Sequence, residues 1–171
     1  MQTKQILNMT KFADHIIAVA HKNELPIINI HLQKIMYFTL KMAKQEPLIN
    51  QTFLKSMYNQ HFKISRFGPM ISKQFSRFKG FSVAPIIGSF KQNPALDLLN
   101  PIIIELLQTN VLTLTELSLK EKISKFISDL KLFIEKKSLV SADELIWFLY
   151  KYTGYYNYVG LLDMGEQRKT N

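Results

Sequence analysis

Four histidines, thirteen carboxylates and no cysteine are the side chains from which a metal site or a catalytic centre would have to be built. His15, His21, His31 and His61 form no HxH or HExxH pair, and His15 and His21 lie six residues apart, on opposite sides of any helix that carries them. Solvent-facing or hydrogen-bonded imidazoles are the expectation, with no metal and no cofactor. Without cysteine there is no thiolate ligand, thiol nucleophile or disulfide framework. The six glycines are unclustered, so neither a G-x-S-x-G elbow nor a glycine-rich phosphate loop is present. Before residue 92 only Asp14, Glu24 and Glu46 are acidic, which leaves little for a paired-carboxylate mechanism. Asp14 and His15 are adjacent, but neighbours on a helix point about 100° apart. No catalytic residues are expected, and the chain reads as a binding protein rather than an enzyme.

Charge offers more. The 171 residues carry a net charge of +9, and it is unevenly placed. Residues 1–91 hold 13 basic and 3 acidic side chains, whereas residues 92–171 hold 9 and 10. A basic half raises the local concentration of anions, so an acidic protein or a nucleic acid is the partner class it favours. Lysine supplies 19 of the 22 cations, and Arg66, Arg77 and Arg168 are the only arginines. Base-edge reading favours the arginine fork, so a DNA-binding regulator is the alternative rather than the leading reading. A second concentration is aromatic: five of seven tyrosines fall between Tyr150 and Tyr158, a composition suited to packing or to a protein interface. No run of 18 apolar residues occurs and the N-terminus lacks an apolar signal core, so a soluble, cytoplasmic protein without a membrane partner is expected.

The elements that must position these groups are mostly helices. Thr10 reads as an N-cap, followed by Phe12, Ile16, Val19 and Ala20 on one stripe, with Asn23 and Pro26 as the stop. A second helix opens at Asn29 and runs to about Gln45, burying Leu32, Ile35, Met36, Thr39, Leu40 and Ala43. Residues 48–60 read as helix or loop. Period-two alternation over His61–Phe67 predicts a short strand, and Gly68-Pro69 a turn into a helix from Pro69 to about Lys79. Residues 81–90 and 111–115 are candidate strands, with a helix somewhere in 95–109. Ser118 and Glu121, and again Ser141 and Glu144, have capping-box spacing. The first pair predicts a helix to about Lys137 with Ile123, Ile127, Leu130 and Ile134 inward. The second predicts another, ended by Gly154. The expected fold is α+β but predominantly α-helical: five or six helices with a small antiparallel sheet or hairpin. One domain over residues 1–164 and a polar tail over 165–171 complete the expectation.

Two segments together carry a family resemblance. Residues 29–38, NIHLQKIMYF, resemble the N-L-K-L-Q-K-L-L-Y-F helix of the Panacea (SocA-like) antitoxin domain, and residues 62–79, FKISRFGPMISKQFSRFK, resemble its strand, Y-G-P-V turn and following helix. The stretch KFADHIIAVAHKNELPI sits where that family has its first helix, and Ser141 to Leu145 resembles its S-A-x-E-L element. The resemblance covers residues 8–80 and, more weakly, 118–160. It implies a bacterial, phage- or mobile-element-associated factor that neutralises a cognate toxin protein or delivers it to a protease. It brings no catalytic residues. With both motifs in the basic half, the partner surface is expected on the solvent side of helix 29–45 and the adjoining turn. The residues expected to form it are Gln33, Lys34, Tyr37, Lys41, Arg66, Phe67, Gly68 and Pro69, with Lys44 on the same side.

Overall fold

The computed structural model describes residues 7–65 and 67–136, together with 141, 142 and 144. Arg66, the tyrosine cluster at 150–158, the body of the helix expected after Ser141 and the tail at 165–171 lie outside the described residues. Among the described residues six α-helices and one strand pair appear in the order α1 (Met9–Lys22), α2 (Asn29–Gln45), α3 (Gln51–Met57), β1 (Lys63–Ser65), β2 (Gly68–Met70), α4 (Ser72–Arg77), α5 (Asn100–Gln108) and α6 (Val111–Glu135). The chain is mainly helical, as its apolar periodicity requires. Its β-structure does not grow beyond three residues a side: Lys63 pairs with Met70, Ile64 with Pro69 and Ser65 with Gly68.

α2 is the axis of the molecule. Every residue from His31 to Leu40 is buried, and α1, α3, α4, α5, α6 and β2 all pack against it. Leu32, Ile35, Met36 and Leu40 meet Phe12, Ile16, Ile17, Leu99, Ile103 and Leu106 in one continuous core. A helix with this environment is buried all round rather than amphipathic.

Several boundaries differ from the sequence reading, each for a local reason. The cap of α1 is Asn8, whose side chain accepts from the Lys11 amide at 2.9 Å. The Thr10 hydroxyl instead accepts from Gln60 and Gln74. Pro69 does not start a helix; it sits in β2, and α4 begins at Ser72. Proline tolerates this because β2 ends the chain's only described strand pair, where a missing amide leaves no ladder bond unmade. Residues 82–93 run irregularly instead of forming a strand, and residues 111–115 are the first turns of α6. That helix is capped by Asn110, which accepts from Leu112 at 2.8 Å, so Ser118 and Glu121 are interior positions. Ile127 and Ile134, expected inward, are exposed. The second capping box is made: the Ser141 amide donates to Glu144 and the Glu144 amide to Ser141 Oγ.

Three histidines, His15 and His31 buried and His21 exposed, stitch the helices to their neighbours. The Asn93 amide donates to His15 Nδ1 at 2.9 Å, which leaves the proton on Nε2, and Nε2 donates to Asn100 Oδ1 at 2.8 Å. His31 Nε2 donates to the Leu106 carbonyl at 3.2 Å. His21 does the same for Ile86 at 2.9 Å, and the Ile86 amide donates back to Ile27. Burial pushes the pKa of both His15 and His31 below the ordinary 6.5, against the opposing pull of their hydrogen bonds. The fold therefore refuses a proton that the unfolded chain accepts. Their contribution to stability is complete above pH 6.5 and is lost as pH falls from there through the lowered values. Urea midpoints taken at about pH 7.5, 6 and 5 will fall on acidification. A His15→Gln, His31→Gln double variant will start lower but decline less, and an unchanged slope in that variant would refute the assignment.

Candidate functional site

The residues singled out for partner binding do converge, but inside the molecule. Gln33 and Lys34 project from the middle of α2 onto the β1–β2 hairpin. Gln33 Oε1 accepts from the Ile71 amide at 2.9 Å, just past β2, while its amide nitrogen reaches Asn29 Oδ1 at 3.4 Å. Asn29 in turn donates to the Phe75 carbonyl of α4 at 2.8 Å. The Lys34 ammonium donates to the carbonyls of Phe67 and Pro69, the latter at 3.4 Å. One lysine thus clamps both sides of Gly68.

Gly68 is there because nothing larger fits. Its φ of +90° lies in the region L-residues rarely adopt, and a Cβ would stand 2.5 Å from Ser118 Oγ and 3.0 Å from Lys34 Nζ. Ser65 closes the turn, its hydroxyl donating to the Gly68 carbonyl and accepting from the Phe67 amide. Outside Gly68 stands α6. Ser118, 1% exposed, donates to the Thr115 carbonyl, and one turn later Glu121 takes Tyr37 and Lys41 together. The Tyr37 hydroxyl donates at 3.0 Å and the Lys41 ammonium forms an ion pair with the other oxygen. Lys34, Tyr37 and Lys41 fall at i, i+3 and i+7, one line along α2. This line ties the central helix to the hairpin and to α6.

The expectation of a basic, solvent-facing α2 surface is therefore corrected. Lys34 and Tyr37 are each 1% exposed and Gln33 is fully buried. Gly68 and Pro69 are buried too, Lys41 is half-buried in its ion pair, and Lys44 is exposed at the helix end. Of the expected contact residues Phe67, at the hairpin tip, is exposed. The pattern argument failed because it assumed one apolar face, whereas α2 has neighbours on all sides. Burial without an acidic neighbour pushes Lys34 down to about 8, yet carbonyl dipoles still hold its proton. The space left among Ile30, Lys34, Phe67, Met70 and Phe75 is about 10 Å³, too small for a ligand. Sequence reasoning missed the roles of Asn29, Ser118 and Glu121. The spacing of the last two was legible, but it was assigned to a helix start rather than to contacts.

Among the described residues no three His, Asp or Glu side chains gather as a metal site would require. A segment of the chain is 57% identical over 53 residues to part of an ATP-dependent helicase/nuclease subunit of Clostridium botulinum (strain 657 / Type Ba4), covering 31% of this chain and 4% of that protein. The protein of the same name from Clostridioides difficile (strain 630) is 52% identical over 50 residues, 29% of this chain and 4% of that protein. The chain thus spans a small fraction of these relatives. No protein family model matches the chain, and no solved structure matches it.

The clamp makes a quantitative prediction. Lys34→Ala removes buried side-chain volume and strands two carbonyls, so it will cost about 2–4 kcal/mol of unfolding free energy. Lys41→Ala breaks a half-exposed ion pair and will cost under about 1 kcal/mol. Chemical denaturation of both variants measures the difference; equal costs would show that the clamp is not the stronger contact.

Proposed function

We propose that this chain is a non-enzymatic protein-binding factor of the Panacea (SocA-like) antitoxin type, neutralising a cognate toxin or delivering it to a protease. The observation that carries the reading is the clamp itself. The two segments that resemble that family, one with Gln33 and Lys34 and the other with Gly68-Pro69, are parts of a single hydrogen-bonded unit. That unit fixes a hairpin whose tip presents the Phe67 ring at the surface. A rigid loop with an aromatic tip suits a protein contact, because a pre-ordered anchor loses little entropy on binding. Leu112 and Leu117 are also exposed, on the α6 turns whose Leu114 and Ser118 pack inward. Four groups able to do proton chemistry, His15, His31, Lys34 and Tyr37, hold the fold together. A cytoplasmic, phage- or mobile-element-borne factor fits the same reading.

The surplus of ten positive charges in residues 1–91 keeps one second reading, a DNA-binding regulator. The segment shared with the helicase/nuclease proteins covers too little of them to bring their activities here.

Co-expression in a bacterial host with the adjacent open reading frame tests the proposal. The neighbour alone will arrest growth, the pair will grow, and Phe67→Asp will lose the protection while keeping the wild-type helical content by circular dichroism. A harmless neighbour, or one still toxic beside this chain, would overturn it. Duplex-DNA affinity that falls steeply with salt would favour the second reading instead.

A further inference from the structure

A cavity of about 350 Å³ opens on the other side of α1, between that helix, α4 and the irregular 89–93 segment. Its size lies in the range of small-molecule sites, roughly 300–1,000 Å³. Lys11 of α1, Arg77 of α4 and Lys91 of the irregular segment line it, and Asp14 is the single carboxylate. Asp14 is committed to Arg77, at 2.6 Å. Among the described residues Lys11 and Lys91 enter no ion pair, so the cavity is bordered by two exposed lysines without acidic partners and by an oriented guanidinium.

That guanidinium is held in place beforehand. Besides Asp14 it has Gln74 Oε1 at 3.5 Å, and its carbon lies 4.8 Å from the Phe78 ring centroid. The facing wall is equally tied down, since Ile86 is bonded to Ile27 and His21, and Asn93 to His15. The half-buried Phe90 ring completes the lining, 5.8 Å from His21 and 6.1 Å from Phe78. Convergent cations at a fixed arginine suit a phosphate, and an aromatic wall beside them suits a base.

We propose that this cavity is a nucleoside phosphate site, with the phosphate between Lys11, Lys91 and Arg77 and the base along Phe90. The site is independent of the hairpin and of the antitoxin reading. Its ligand is either a free nucleotide or a nucleotide within a single-stranded nucleic acid; both offer the same group.

Calorimetry with the full chain tests it, using adenosine 5′-monophosphate, adenosine, inorganic phosphate and a short single-stranded oligonucleotide as probes. The monophosphate will bind, inorganic phosphate will compete with it, and adenosine alone will bind much more weakly. A Lys11→Gln, Lys91→Gln variant will lose about tenfold or more in affinity for the monophosphate. Both lysines are exposed, so its melting temperature will stay at the wild-type value, and Lys44→Gln will leave binding unchanged. An oligonucleotide displaced by the monophosphate would identify nucleic acid as the source of the same group. No binding of the monophosphate at millimolar concentration, or undiminished binding in the double variant, would overturn the proposal. So would an oligonucleotide that binds while the monophosphate does not.

Discussion

A helix buried on every side is stabilised by finding partners inside the protein for the polar side chains it carries, because an unpaired buried donor or acceptor costs about 1–3 kcal/mol. α2 carries six buried polar residues, of which Asn29, His31, Gln33, Lys34 and Tyr37 are paired while Thr39 Oγ1 has no hydrogen-bond partner among the described residues. The rest of the fold follows from where their partners lie. Asn29 takes a carbonyl of α4, His31 one of α5, Gln33 the amide after β2, Lys34 two hairpin carbonyls and Tyr37 the Glu121 carboxylate of α6. Apolar burial supplies the larger driving force, but it is indifferent to direction. The polar set determines which element lies on which side of α2.

Lys34 is the most consequential member. An ammonium in the core is costly unless oxygen atoms surround it, and a strand pair of three residues has carbonyls to offer only if the chain turns sharply beside the helix. Gly68 permits that turn through its positive φ, and its missing side chain lets Ser118 of α6 close over the outside. Lysine, glycine and serine are thus three parts of one requirement. An acidic partner is not needed, which leaves Glu121 available for Tyr37 and Lys41 one and two turns further along.

The same economy shapes where function can reside. Polar groups near α2 are used to define the architecture, so the surfaces left for recognition lie at its margins. One is the hairpin tip with Phe67. Another is the basic cavity behind α1, whose irregular wall is positioned by His15 and His21 rather than by secondary structure of its own. The His15 imidazole acts as a neutral bracket: its Nδ1 accepts from the Asn93 amide, so protonation there would break the bond that anchors the irregular segment.

Much of the helical framework was legible beforehand, and the limits of legibility have a common origin. The end of α1 at Asn23, the extent of α2 and the Ser141–Glu144 cap follow from local rules: apolar spacing and capping chemistry. These depend on residues within about one helical turn of each other, so sequence alone determines them. What the tertiary structure decided is the meaning of the polar residues. Lys34, Gln33 and Tyr37 look like a solvent face when α2 is considered alone, and they became interior because α6 and the hairpin cover the side that α1 and α5 leave open. Ser118 and Glu121 have the spacing of a helix start, but Asn110 caps the helix two turns earlier and frees them for contacts with α2 and Gly68. The Glu121 contacts join residues at least eighty positions apart. Local spacing carries no information about such partners, since it is the packing of whole helices that brings them within hydrogen-bond range.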